Sequence, residues 1–194
     1  MKSGLRGGVL VLPGGRPHSD EASRVWQLAN VRMIWLAAAL RARLGSGVRI
    51  RRVQYRVRGW NGARRDAVRD AREALDRMLG DIDPSRVVLV GHSMGGRVAA
   101  HLSAEAPVSG VVALAPWWPA SDGDLVPAGR RLLVLHGTAD TRTDPRASLA
   151  QTDRAKNRGV DANWVGIPDA GHYLINHWRL WHRLTAQFVA TQIS

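Results

Sequence analysis

Cysteine is absent from the 194 residues. Disulfides, thiolate metal sites and a cysteine nucleophile are thereby excluded, leaving serine, threonine or a carboxylate for any covalent chemistry. Long apolar runs are missing as well. The nearest, residues 33–40, is cut off by Arg32 and Arg41, far short of the roughly 18 residues expected of a membrane span. No membrane partner is expected. The first apolar run, residues 9–12, is too brief for a secretory core, so the expected location is cytoplasmic. Internal repeats, low-complexity tracts and linkers are also missing, and the length suits one domain over residues 1–194.

Lysine is scarce. The formal charge is +12, yet only Lys2 and Lys156 are lysines, so 26 of the 28 basic residues are arginines. A basic stripe would be the electrostatic footprint of phosphate binding, but these arginines are scattered along the whole chain. The densest group, Arg49, Arg51, Arg52, Arg56 and Arg58, alternates in position and reads as the solvated edge of a sheet. No nucleic-acid partner follows from it.

What is present is an ordinary globular balance of 45% apolar and 23% charged residues. Residues 9–12 form a continuous apolar run closed by Pro13, Gly14 and Gly15, as in a buried parallel strand ending in a turn. A helix is expected over residues 23–44, where Val25, Leu28, Trp35, Leu36, Ala39 and Leu40 recur at helical spacing before Gly45. Residues 48–57 alternate as a second strand, and residues 66–79 carry the apolar stripe of a helix. Residues 87–90 are the clearest buried strand, running through Gly91-His92-Ser93-Met94-Gly95 into a helix that ends near residue 104. Strands at residues 110–114, 131–135 and 162–165 follow, with a helix over residues 145–157 and a last one from about residue 174. That last helix would present Leu174, Trp178, Trp181, Leu184 and Phe188 on one face.

Six strands alternating with helices call for an α/β fold with one doubly wound, mostly parallel sheet flanked by helices. Right-handed crossovers put the strand-to-helix turns on one edge, and ligands of such sheets bind at the carboxyl ends of the strands. Reactive groups are therefore to be sought in those turns.

A serine with glycines two residues before and after, following a buried strand and opening a helix, matches a nucleophile elbow. Ser93 is the candidate nucleophile. A serine hydroxyl needs a base, and the base needs a carboxylate to fix its tautomer. Of the seven histidines, His172 lies in a glycine-bearing loop after the last strand, and Asp140 follows the strand at residues 131–135. Both fall on the carboxyl edge. Asp144, Asp169, Asp122 and Asp124 are competing carboxylates, although Asp144 suits a helix cap before Pro145. An oxyanion hole requires two aimed N–H donors. Met94 supplies one; the other belongs to Gly14, Gly15 or Arg16, with Gly15 preferred.

Val87 to Gly96, His136 to Asp140 and Asp169 to His172 together resemble the α/β-hydrolase superfamily, whose triad runs serine, acid, histidine along the chain. The likeness is greatest to compact, lidless members similar to dienelactone hydrolases and small carboxylesterases. It implies a sheet order of 2-1-3-4-5-6 and no lid, since only residues 115–130 could build one. Dienelactone hydrolases proper use cysteine, so that activity is not implied. The expected substrate is a small-molecule carboxylic ester, with thioester, lactone or acyl-transfer chemistry open on the same triad and a noncatalytic binding protein of this fold the remaining alternative. No cofactor is expected, and the state is expected to be a monomer or homodimer. No metal is expected either: five-residue steps from His172 to His177 to His182 rotate about 140° around a helix and separate the rings. Trp60, Asn61, Trp117 and Trp118, with Arg58, are the expected pocket residues.

Overall fold

The computed structural model of the chain describes residues 4–193. Six strands, β1 (Gly7–Leu12), β2 (Val48–Arg52), β3 (Val87–His92), β4 (Gly110–Leu114), β5 (Arg131–Gly137) and β6 (Asp161–Ile167), form one sheet. Their order is β2-β1-β3-β4-β5-β6, and every neighbouring pair is parallel. Five helices cover it: α1 (Leu28–Leu44), α2 (Asp66–Leu79), α3 (Met94–Glu105), α4 (Pro145–Asn157) and α5 (Trp178–Gln192).

The central strands are apolar at nearly every position because both faces are covered. Alternate side chains point to opposite faces. Leu10, Leu89, Val111, Leu132 and Val134 pack against Leu75 of α2 and Val98 and Leu102 of α3. Val9, Val11, Val88, Val90, Val112 and Leu135 face Met33, Leu36 and Leu40 of α1 and Trp181 and Val189 of α5. Each fully buried aliphatic side chain contributes roughly 1.5–3 kcal/mol.

The sequence reading departs from the structure most at three elements. Helix α1 begins at Leu28, not near residue 23, and buries Asn30, Met33, Leu36, Ala37, Leu40 and Leu44. Val25, Leu28 and Trp35, expected on the inner face, are exposed. Apolar residues stand almost all round this helix, so spacing alone admits more than one phase. Strand β2 stops at Arg52. Beyond it, the segment at residues 53–59 leaves the sheet and meets residues 16–23 through isolated bridges, Arg16 to Gly59 and Ala22 to Val57. Helix α5 starts at Trp178, after a turn in which Leu174 has φ 55°. Its inner face is Trp181, His182, Thr185, Ala186 and Val189, while Trp178 is half exposed. Thr185 enters the core at little cost because its hydroxyl donates to the Trp181 carbonyl at 2.7 Å.

The sheet changes winding direction at β1, which carries β2 on one side and β3 on the other. Such a switch point opens a crevice between the turns that follow the two strands. Those turns hold Gly14-Gly15 and Ser93. Residues 115–130, between β4 and β5, contain one short 3-10 turn, Asp122–Leu125. Among the described residues no helix is long and apolar enough to cross a membrane.

Candidate active site

The turn after β3 is built by close approach. A Cβ on Gly91 would lie 2.1 Å from the Gly95 carbonyl oxygen, and one on Gly95 would lie 2.1 Å from that of Leu12. Any other residue at either position would push α3 away from the sheet. Ser93, between them, is held at φ 56°, ψ −117°, a conformation that costs of order 1–3 kcal/mol and clusters at functional sites. The strain is held by the Ser93 N–H donating to Leu114 (2.9 Å) and the Ser93 carbonyl accepting from Gly96 and Trp117 (3.0 Å each).

His172 arrives from the loop between β6 and α5. Its carbonyl accepts from His92 Nε2–H at 2.9 Å, and the Ala139 N–H donates to Ala170 at 3.0 Å, so the loop is fastened to the ends of β3 and β5. His172 Nε2 then sits 3.1 Å from Ser93 Oγ. Its Nδ1 sits 2.8 Å from Asp140 Oδ2. A carboxylate only accepts, so Nδ1 carries the proton and Nε2 presents its lone pair to the serine hydroxyl.

Asp140 is crowded with donors. Oδ1 accepts from the N–H groups of Arg142 (2.8 Å) and Thr143 (3.0 Å), while Oδ2 also takes His136 Nε2–H (3.0 Å) and the Thr143 hydroxyl (2.7 Å). Burial raises its pKa, but hydrogen bonds from His136, His172 and the two amides outweigh that and hold it well below the usual carboxylate range. The acid therefore stays ionised. His136 and Thr143 were not among the sequence candidates. The available signal was a histidine closing an otherwise apolar strand, where an unpaired polar ring would be costly. His136 Nδ1 in turn meets Ser148 Oγ at 2.8 Å.

His92 is buried, and its pKa is pushed well down, first by burial and then by the neighbouring His172 and Arg32. It acts as a neutral strut. The backbone also narrows the candidate oxyanion donors. Arg16 N–H donates to the Arg58 carbonyl at 2.8 Å, which removes it from consideration. Among the described residues the N–H groups of Gly14, Gly15 and Met94 have no protein acceptor. Gly15 lies directly against the elbow, since a Cβ there would sit 2.4 Å from Met94 Cε.

Ser93 and His172 open on a cleft of about 520 Å³, whose walls include Gly15, Arg32, Trp117, Arg142 and Tyr173. This lies within the 300–1,000 Å³ of small-molecule sites. Only some expected pocket residues reach it. Trp117 and Arg58 line it, whereas Trp60, Asn61 and Trp118 do not. Trp118 is buried and donates Nε1–H to the Gly96 carbonyl at 3.2 Å. Trp60 is buried against Trp117, with Arg97 stacked on both rings at 4.1 and 4.7 Å. Asn61 is a fastener: it accepts from Ser19 N–H at 2.9 Å and donates to Asp66 at 2.8 Å, tying residues 16–27 to α2.

The chain matches the model of the alpha/beta hydrolase family over residues 9–190. Among solved structures it resembles a protein from Xanthomonas campestris pv. campestris assigned to the hydrolases of that superfamily, at 21% identity and TM-score 0.65, covering 96% of this chain and 99% of the other. It also resembles Est1E from Butyrivibrio proteoclasticus, solved with ferulic acid, at 16% identity and TM-score 0.71, covering 100% and 93% of the two chains. A hormone-sensitive lipase from a metagenome library aligns at 16% identity and TM-score 0.70, covering 99% and 79%. At these identities the structural likeness establishes the fold, and the family match extends from β1 into α5. The chain belongs to the alpha/beta hydrolase family.

Proposed function

We propose that the chain is a serine hydrolase that cleaves small-molecule carboxylic esters through an acyl-enzyme on Ser93. One observation carries this reading: an unbroken hydrogen-bonded path from Ser93 Oγ through His172 to Asp140, ending at a cleft. His172 Nε2 takes the hydroxyl proton as Ser93 Oγ bonds to the carbonyl carbon. The charge that develops on the carbonyl oxygen falls to the N–H groups of Met94 and Gly15, each such donor worth ~100- to 1000-fold in rate. Collapse breaks the carbon–oxygen bond to the alcohol, which leaves with the proton from His172. Water, deprotonated by the same nitrogen, then attacks the acyl carbon and releases the acid and Ser93.

Asp140 keeps His172 in the tautomer that leaves Nε2 free, and it stabilises the imidazolium formed in each step. A fluorophosphonate probe tests the proposal. Labelling of the folded protein at Ser93, absent in Ser93→Ala, is the expected result; a folded wild-type chain that takes no label refutes it.

A further inference from the structure

The cleft at Ser93 is lined by four arginines, Arg16, Arg32, Arg58 and Arg142, and by no aspartate or glutamate. Two of the four are matched from outside it: Glu21 pairs with Arg58 at 2.5 Å and more loosely with Arg16 at 3.9 Å. Arg32 and Arg142 differ. Among the described residues neither has a carboxylate within ion-pair reach, and both guanidinium groups lie on the ring of Tyr173, at 4.4 and 5.5 Å from its centroid. Tyr173 directly follows His172, so this pair of cations flanks the reactive edge of the cleft.

The depression beside β2 has a different lining. That depression, about 310 Å³, is lined by Arg49, Arg51, Arg52, Arg56 and Arg77 but also by Asp70, Glu73 and Asp81, and Arg49 and Arg56 pair with Asp81 and Asp70. Arg32 is half-buried, and among the described residues its guanidinium has no hydrogen-bond acceptor, only the Tyr173 ring. Burial lowers the pKa of Arg32, with Tyr173 partly opposing it, so this cation has surrendered hydration that no protein carboxylate returns. Two planar, pre-oriented guanidinium groups suit one acceptor with several oxygens.

We propose that the substrate carries an anionic oxygen group, a carboxylate or phosphate, clamped by Arg32 and Arg142 on Tyr173 while its ester carbonyl lies at Ser93. The ester half rests on the function proposed above; the anion clamp does not. The test compares kcat/KM for 4-nitrophenyl hydrogen adipate with that for 4-nitrophenyl hexanoate. The anionic ester should be preferred about tenfold or more, each guanidinium contact being charge-assisted. Arg32→Ala and Arg142→Ala should each cut that ratio about tenfold, mainly through KM, with Arg32→Lys, which keeps the charge, intermediate. Arg77→Ala, which removes the same charge beside β2, should leave the ratio unaltered. A wild-type ratio near one, or an equal fall in Arg77→Ala, overturns the clamp.

Calorimetric titration of Ser93→Ala with adipate and with inorganic phosphate keeps the two proposals separable. Saturable binding weakened about tenfold by adding Arg32→Ala supports the clamp even if no ester is turned over, and the tighter anion identifies the carboxylate or phosphate source. Absence of saturable binding by either anion overturns it, whatever the outcome of fluorophosphonate labelling.

Discussion

Replacing Asp140 by asparagine separates catalysis from folding more cleanly than any other change at the site. Oδ1 of asparagine can keep the N–H groups of Arg142 and Thr143, now 2.8 and 3.0 Å from the carboxylate. The new NH₂ then replaces Oδ2, where His136, His172 and the Thr143 hydroxyl converge. Its two hydrogens can serve the two rings only if each imidazole moves its proton to the opposite nitrogen. For His136 that is harmless, because Nδ1–H can donate to Ser148 Oγ, 2.8 Å away. For His172 it is fatal to function: Nε2–H now faces Ser93 Oγ and cannot accept a proton. The wrong tautomer should lower kcat by about 10³- to 10⁴-fold, while the retained hydrogen bonds keep the loss of stability within about 2 kcal/mol. Asp140→Ala, by contrast, leaves several buried donors without acceptors and should cost about 3–5 kcal/mol. Urea denaturation measures the stabilities; release of 4-nitrophenol and the rate of fluorophosphonate labelling measure the chemistry. An asparagine variant that keeps more than a tenth of wild-type kcat refutes the role of Asp140, as does one that unfolds like alanine.

Further consequences are open to measurement. His182 is buried with neither ring nitrogen hydrogen-bonded, and burial, helped by Arg43, lowers its pKa to about 4. The unfolded chain takes up this proton nearer pH 6.5, so the stability is complete above that pH and lost as pH falls toward 4. His182→Leu should remove about 2 kcal/mol of that acid-side loss, allowing for solvent screening; an unchanged pH dependence of the urea midpoint would contradict it. Gly95→Ala sets a Cβ 2.1 Å from the Leu12 carbonyl oxygen and should cost about 3 kcal/mol or more, a figure that a midpoint within about 1 kcal/mol of wild type rules out. Asn61→Ala should cost about 1–2 kcal/mol through its lost bonds to Ser19 and Asp66 without altering KM for a neutral ester. A tenfold rise in KM at unaltered stability would return Asn61 to the pocket.

Strand direction and the convergence of Ser93, Asp140 and His172 were legible because each depends on a signal confined to a few residues, whereas the strand order followed only from the resemblance to the α/β-hydrolases. Buried parallel strands need continuous apolar runs, and residues 87–90 and 110–114 supply them, so the sheet and its carboxyl edge follow. The three side chains sit one to five residues beyond a strand end, a distance over which the chain has little room to wander. His136 and Thr143 were missed because their role depends on sharing one oxygen of Asp140, a contact with no sequence period. The pocket failed for a different reason. Its wall is the irregular segment at residues 13–27, positioned by bridges to residues 57–59 and by Asn61, and none of these long-range contacts has a local pattern.

The phase of α1 decides what the cleft is. Spacing groups Val25, Leu28 and Trp35 with Leu36, Ala39 and Leu40; of these only Leu36 and Leu40 lie on the real inner face, beside Met33 and Ala37. Arg32 stands four residues after Leu28 and three before Trp35, so all three share a face of the helix. Turning that face inward would bury a guanidinium against β1 with no carboxylate to meet it, a cost of several kcal/mol. Turning it outward places Leu28 and Arg32 side by side on the cleft wall. The arginine itself therefore contained the information that apolar spacing lacked: a cation without a partner cannot lie on the core side. The same requirement that keeps Arg32 out of the core delivers it, unpaired, to the edge where the substrate of Ser93 would sit.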